Sequence, residues 1–263
     1  MNSPLKGLRA VVTGAGRGIG RATAITLAER GCDVAVVDID LHSGRGIPGE
    51  SGDTTEAITA LGVKAIGIEA DLTVEANATK IIEGVVTAWG GLDILVNIAG
   101  GAITPFESSK PSVTPSADIR RLLDVNLMSA IYLCQAAAPV LDRSPAASIV
   151  NTTSLSGLGV LPGGSLAGYA VSKAALAHYT LYLAEDLGPR GIRVNAVSPG
   201  YTMTGRVRAN SVDTGFAEKA ADSALRRLAE PEDIARAVAF LVSPDAGYVT
   251  GHILAVDGMT RLV

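Results

Sequence analysis

Thr13-Gly14-Ala15-Gly16-Arg17-Gly18-Ile19-Gly20 is the stretch on which the reading of this chain turns. It leaves a short apolar run, Ala10 to Thr13, and opens a helical pattern, Gly20 to Arg30. Glycine at such a junction lets the backbone bend sharply and approach a pyrophosphate, whose charge is favoured by free main-chain N–H groups and by the helix dipole. Strand, turn and helix in that order predict a dinucleotide site. The glycines fall as Gly-x-x-x-Gly-x-Gly and not as the general Gly-x-Gly-x-x-Gly fingerprint, because Ile19 stands where the third glycine of that fingerprint would. A glycine-rich loop can also bind nothing, so the rest of the chain has to decide.

Working outward, β-branched runs recur at Ala10 to Thr13, Asp33 to Val37, Ala65 to Glu69, Ile94 to Asn97, Ser148 to Thr152, Arg193 to Val197 and Ile253 to Val256. They are nearly continuous in apolar character, as strands buried on both faces are. Helical patterns alternate with them at Gly20 to Arg30, Thr54 to Leu61, Val74 to Trp89, Ser116 to Leu141, Gly168 to Leu187 and Pro231 to Leu241. The alternation predicts βαβ crossovers and an α/β fold, a doubly wound parallel sheet of seven strands with helices on both faces. No shift in composition marks a second domain, so residues 1–263 are expected to form one. The tracts Ser43 to Asp53, Thr104 to Ser116 and Tyr201 to Leu228 read as loops, the last as a substrate lid.

With 48% hydrophobic and 18% charged residues, the chain suits a packed interior of Val, Ile, Leu and Ala. A formal charge of -4 argues against nucleic acid or an anionic membrane as partner, since either rewards a basic stripe. Cys32 and Cys134 lack a CxxC spacing and read as reduced core thiols. His42, His178 and His252 are scattered, and no metal site is expected. The opening residues MNSPLKGLRA carry no apolar stretch of signal-peptide length, and Asp93 and Asn97 interrupt a longer run, so a cytoplasmic protein is expected.

Asp38 ends the second run, eighteen residues after Gly20. A carboxylate there can accept hydrogen bonds from an adenosine ribose and repel a 2′-phosphate, which favours NAD over NADP. Arg17 pulls the other way, because a guanidinium in the first turn can pair with that phosphate. Asp38 carries the greater weight, since its carboxylate would sit against the 2′ position itself. Farther on, Tyr169 and Lys173 lie four residues apart in GYAVSKAALAHY and so share one helical face. An ammonium beside a phenol favours the phenolate and lowers a pKa that starts at about 10, giving a proton donor or acceptor near neutral pH.

Taken together, TGAGRGIG at 13–20, DL at 71–72, VNIAG at 96–100, Asn126 within DVNL, NTTSLSG at 151–157, YAVSK at 169–173, NAVSPG at 195–200 and TGHILAVDG at 250–258 are specific in order and spacing. Over essentially its whole length the chain resembles the short-chain dehydrogenase/reductase family, classical type. The resemblance implies a Rossmann-type sheet and an oxidoreductase that moves a hydride between a nicotinamide cofactor and a small secondary alcohol or ketone. It implies a catalytic tetrad of Asn126, Ser154, Tyr169 and Lys173. Tyr169 would exchange the proton with the substrate oxygen while Ser154 hydrogen-bonds that oxygen. Lys173 would bind the nicotinamide ribose and tune Tyr169, and Asn126 would anchor a water in a proton relay. Cofactor contacts are implied for Gly14, Arg17, Gly18, Ile19, Gly20, Asp38, Asp71, Leu72, Asn97, Tyr169, Lys173, Pro199, Gly200, Thr202 and Thr204.

Two features depart from the family pattern. Ser154 lies fifteen residues before Tyr169, a longer separation than usual, while Ser156 lies thirteen before it. Ser154 is preferred as the third residue after Asn151, with the extra length placed around Leu161 to Gly164. Ile98 stands where a second Asn is more usual, and Asn97 is expected to keep the structural role of that motif. Asp71 also reads as an N-cap acid. Two competing functions are a 3-oxoacyl-carrier-protein reductase and a non-catalytic dinucleotide-binding scaffold. Ala184-Glu185-Asp186 argues against docking an acidic carrier, and the full tetrad argues against the scaffold. The resemblance also implies a homotetramer built through long helices and the final strand.

Overall fold

Seven strands form one sheet in the order β3-β2-β1-β4-β5-β6-β7, where β1 is Arg9–Thr13, β2 Asp33–Asp38, β3 Ala65–Glu69, β4 Ile94–Asn97, β5 Ser148–Thr152, β6 Arg193–Pro199 and β7 Ile253–Val256. Every neighbouring pair is parallel. The computed structural model describes residues 4–47, 50, 52–209 and 215–260. The helices are α1 (Gly18–Glu29), α2 (Thr54–Thr59), α3 (Glu75–Trp89), α4 (Ser116–Leu123), α5 (Ser129–Leu141), α6 (Ala167–Leu187), α7 (Gly205–Ala209), α8 (Phe216–Asp222) and α9 (Pro231–Val242).

The near-continuous apolar runs have a direct cause. Along β1, Ala10 and Val12 enter one buried cluster and Val11 the other, so both faces of a period-two strand are apolar. One cluster joins the sheet to α1 and α9 through Leu27, Ile234 and Val238; the other joins it to α3, α5 and α6 through Ile81, Leu133 and Leu187. Alanines at 24, 28, 235 and 239 are buried and let α1 and α9 pack closely. Each fully buried leucine contributes about 1.5–3 kcal/mol.

The strand order reverses at β1, which pairs with β2 on one side and β4 on the other. Ligands of open α/β sheets bind in the crevice outside the carboxyl ends of the strands at such a switch point. Here Thr13 Oγ1 accepts hydrogen bonds from the main-chain N–H groups of Ile98 (3.0 Å) and Ala99 (3.1 Å), fastening the end of β1 to the segment after β4. A Cβ at Gly20 would lie 1.9 Å from the Gly14 carbonyl oxygen, so the first helix can start this close to the turn only with glycine there.

Two expectations differ from the structure. The pattern Ser116 to Leu141 is not one regular helix: a π turn over Asp124–Met128 divides it into α4 and α5. A π turn of this length keeps the chain helical on both sides and is marked by no particular residue type, which is why the sequence does not disclose it. Among the described residues this stretch is also long and apolar enough to cross a membrane by length and composition, yet it packs on α3 and α6. The tract Tyr201 to Leu228 contains the helices α7 and α8 and is not simply loop; its residues 210–214 lie outside the described residues, as do 48, 49 and 51 of the Ser43 to Asp53 tract. That tract ends where the Asp53 carboxylate accepts from the N–H groups of Thr55 and Glu56 and starts α2.

Candidate active site

A cavity of about 690 Å³ runs along the carboxyl ends of the central strands. At one end it is lined by Ser154, which follows β5, and by Tyr169 and Lys173 from the first turns of α6. The start of α6 is held by Ser109: its Oγ accepts from the Leu166 N–H (2.9 Å) and its carbonyl from the Ala167 N–H (3.0 Å). Leu166 is thereby kept in a left-handed conformation, φ 61°, costly for a branched side chain and stable only under such constraint. Thus the 104–116 tract, legible only as a loop, aims the helix that bears Tyr169.

Lys173 is buried, and its Nζ donates to the Thr152 carbonyl oxygen at 2.7 Å. Burial disfavours its ammonium and brings the pKa down to about 8. Nζ stands 5.9 Å from the centroid of the Tyr169 ring. Tyr169 hydrogen-bonds Ser154, yet burial acts more strongly and raises the phenol above its ordinary pKa. The expected lowering by Lys173 is therefore not found in this arrangement: desolvation of the phenolate outweighs the one bond that favours it.

Ser154, not Ser156, reaches the cavity. Ser156 is buried behind it and gives two hydrogen bonds to Ser154 Oγ, from its own Oγ at 3.0 Å and its N–H at 3.3 Å. With its lone pairs so occupied, the Ser154 hydroxyl is left to donate, the polarity that supports negative charge on a neighbouring oxygen. Asn126 sits in the π turn, behind the cavity wall. Its Oδ1 accepts from the Gly101 N–H (2.8 Å), and its Nδ2 donates to the carbonyls of Gly101 (3.1 Å) and Leu122 (3.0 Å). Both amide hydrogens are thus committed to main chain, and one lone pair of Oδ1 is left for a water.

The other end of the cavity is lined by Gly14, Arg17, Gly18, Ile19, Gly20, Asp38, Asp71, Leu72, Pro199, Gly200, Thr202 and Thr204. Asp38 Oδ2 accepts from the Gly16 N–H at 2.9 Å and Oδ1 from the Asp40 N–H at 3.3 Å, so the carboxylate is fixed against the phosphate turn. Asp71 bonds the N–H and hydroxyl of Thr73, which lower its pKa; it closes a turn and does not cap α3, whose N-cap is Val74. Asn97 departs from the expected cofactor contact. It is absent from the cavity wall, and its Nδ2 donates to Asn151 Oδ1 (2.9 Å) and lies 3.3 Å from Cys134 Sγ. The reason is strand parity: Asn97 points to the sheet face covered by α5, where Cys134 lies, and ties β4 to β5.

A family model described as enoyl-(acyl carrier protein) reductase matches residues 14–259. The chain belongs to the short-chain dehydrogenase/reductase family. It is an NAD(P)-dependent oxidoreductase acting on CH–OH donors. Within the family it is 42% identical over 262 residues to a cyclohexanol dehydrogenase of Rhodococcus sp. (strain TK6), covering 98% of this chain and 97% of that protein. It is 35% identical over 257 residues to a 7alpha-hydroxysteroid dehydrogenase of Escherichia coli (strain K12), covering 98% and 95%. Among solved structures, a 7 alpha-hydroxysteroid dehydrogenase complexed with NADH and 7-oxo glycochenodeoxycholic acid superposes with a TM-score of 0.87 at 34% identity, over 100% of this chain and 98% of that one. A short chain dehydrogenase from Burkholderia cenocepacia J2315 in complex with NADP gives 0.84 at 38%, over 97% and 98%.

Glu50 is an acidic residue of this short-chain dehydrogenase/reductase's cleft that the sequence did not disclose. Glu50 is 7% exposed, lines the cavity, and accepts the N–H groups of Gly18 and Gly205, each at 2.9 Å. No signal could have found it, because an acid in a Gly/Ser-rich tract reads as solvated.

Proposed function

We propose that the protein interconverts a small secondary alcohol and its ketone, with NAD preferred over NADP. One observation carries this reading: the Tyr169 phenol, hydrogen-bonded to Ser154 and set beside buried Lys173, lines the same cavity as the phosphate turn and Asp38. The residues present fit a dinucleotide, since glycines 14, 18 and 20, at the turn and the head of α1, line the cavity and leave room for a diphosphate beside the helix N-terminus. A nicotinamide held there supplies the hydride acceptor or donor.

The chain's own residues hold the substrate and move the proton. In the oxidising direction the Tyr169 phenolate takes the proton of the alcohol hydroxyl, while Ser154 donates a hydrogen bond to the same oxygen and keeps it in line. Lys173 Nζ, held beside the Tyr169 ring by the Thr152 carbonyl, offers its remaining hydrogens to a ribose. Asn126 holds the Gly101 main chain, with its free lone pair available to anchor a relay water.

NAD is favoured because the Asp38 carboxylate, itself fixed by two N–H groups, faces the adenosine end, where a 2′-phosphate would be repelled. The named activities of the two curated relatives, on cyclohexanol and on a hydroxysteroid, support a secondary alcohol as substrate. A carrier-bound acyl substrate is disfavoured by exposed Glu185 and Asp186 on α6. We further propose one domain over 1–263, with the lid near 201–228, assembling as a homotetramer in the cytoplasm. Exposed Val171, Leu181 and Tyr182 on α6 support assembly through that helix, and buried reduced Cys32 and Cys134 suit the compartment.

Oxidation of cyclic and acyclic secondary alcohols, followed by NADH absorbance in wild type and Tyr169→Phe, tests the function. Turnover is expected only in wild type. Full activity in Tyr169→Phe, or a wild type inert to the whole panel, overturns the reading.

A further inference from the structure

The Glu50 carboxylate is out of place for a phosphate cleft. Its two oxygens take one N–H at the head of α1, where the helix dipole favours an anion, and one N–H at Gly205, the first residue of α7 in the lid. A carboxylate oxygen on such a donor does what a phosphate oxygen would do there. The contact also joins parts of the chain 155 residues apart. The surrounding tract is built to reach this place. Thr54, at the end of the tract, is buried, and its hydroxyl donates to the Ala15 carbonyl at 2.9 Å. At Gly205 a Cβ would lie 2.1 Å from Ile47 Cγ2 and 2.6 Å from Glu50 Oε1, so the lid can lie this close to the tract only with glycine at that position.

We propose that Glu50 is a cofactor-site residue that acts as an internal anion: it occupies a diphosphate donor and fastens the lid to the phosphate turn until a dinucleotide displaces it. The inference rests on reading the cavity as the dinucleotide site. A diphosphate and a carboxylate repel one another and compete for the Gly18 N–H, so the arriving cofactor expels Glu50. Gly205 loses its acceptor in the same event. Cofactor binding is thereby coupled to the position of α7, from which Val207 lines the cavity together with the preceding Thr204. The coupling is specific to ligands that carry the diphosphate.

The test titrates NAD, ADP and adenosine into the full-length wild type, Glu50→Gln and Glu50→Ala by calorimetry, with hydrogen exchange followed at residues 204–209. Glu50→Gln keeps the shape and one acceptor but removes the charge. NAD and ADP are expected to bind Glu50→Gln about tenfold more tightly than wild type, while adenosine, without the diphosphate, binds both equally. Exchange at the lid should change on adding NAD to wild type and should already be raised in Glu50→Ala. Unchanged or weakened NAD and ADP binding in both variants overturns the proposal, as does a tightening that adenosine shares. If wild type binds neither NAD nor ADP, the dinucleotide reading of the cavity falls as well.

Discussion

Replacing Asp38 by Asn should raise specificity for NADP relative to NAD by about a hundredfold, from two separable effects. The substitution removes a negative charge while leaving a carbonyl that can still accept the Gly16 N–H, now made by Asp38 at 2.9 Å, so the phosphate turn keeps its shape. Two like unit charges about 4 Å apart repel by about 4 kcal/mol at an effective dielectric of 20; partial exposure of Asp38 and salt reduce this to about 1–2 kcal/mol. Losing charge-assisted bonds to the ribose hydroxyls weakens NAD by about 1 kcal/mol more. The sum, about 2–3 kcal/mol, corresponds to about 30- to 150-fold in the ratio of kcat/KM for NAD to that for NADP. The assay measures both ratios at one fixed alcohol and one ionic strength. A ratio that moves less than about threefold, or a wild type that already prefers NADP, refutes the electrostatic reasoning.

Alcohol oxidation needs the Tyr169 phenolate, and burial raises that phenol above its ordinary pKa, so its basic form grows scarcer at any given pH. The oxidation rate should accordingly climb with pH throughout pH 6–9, as expected for a base that titrates above the ordinary phenol value, while ketone reduction, which needs the phenol, stays level. Oxidation that is flat over that range contradicts the expectation. Ser156→Ala should lower kcat by about three- to tenfold, the worth of one hydrogen bond, because the Ser154 hydroxyl is then free to rotate away from the substrate oxygen. Steady-state kinetics with Ser156→Thr as the rescuing variant checks this, and an unchanged kcat in Ser156→Ala removes Ser156 from any positioning role.

Much of the architecture was legible because the relevant forces are local or periodic. The bounds of β4 and β5 agree with the apolar runs residue for residue, since strands buried on both sides have no other composition open to them, and those of the partly exposed edge strands β3 and β7 agree as well. The glycine turn was legible because backbone approach forbids side chains there. The pairing of Tyr169 with Lys173 was legible because helical spacing puts i and i+4 on one face. The partner of Asn97 was not legible, because a motif identifies a residue but not the direction its side chain takes in the sheet, which depends on strand parity and on Asn151 opposite it.

By itself, then, the order of residues determined a seven-stranded parallel sheet, a phosphate turn at its switch point and a phenol and an amine one helical turn apart. Only the assembled molecule decided the balance of charge and solvent around them: that burial outweighs hydrogen bonding at Tyr169, that Thr152 receives the Lys173 ammonium, and that Glu50 lies across the mouth of the phosphate turn. Propensity and periodicity act over a few residues. Desolvation and hydrogen-bond competition depend on which distant segments meet, and the meeting of Glu50 with Gly18 and Gly205 exists only once the chain is folded.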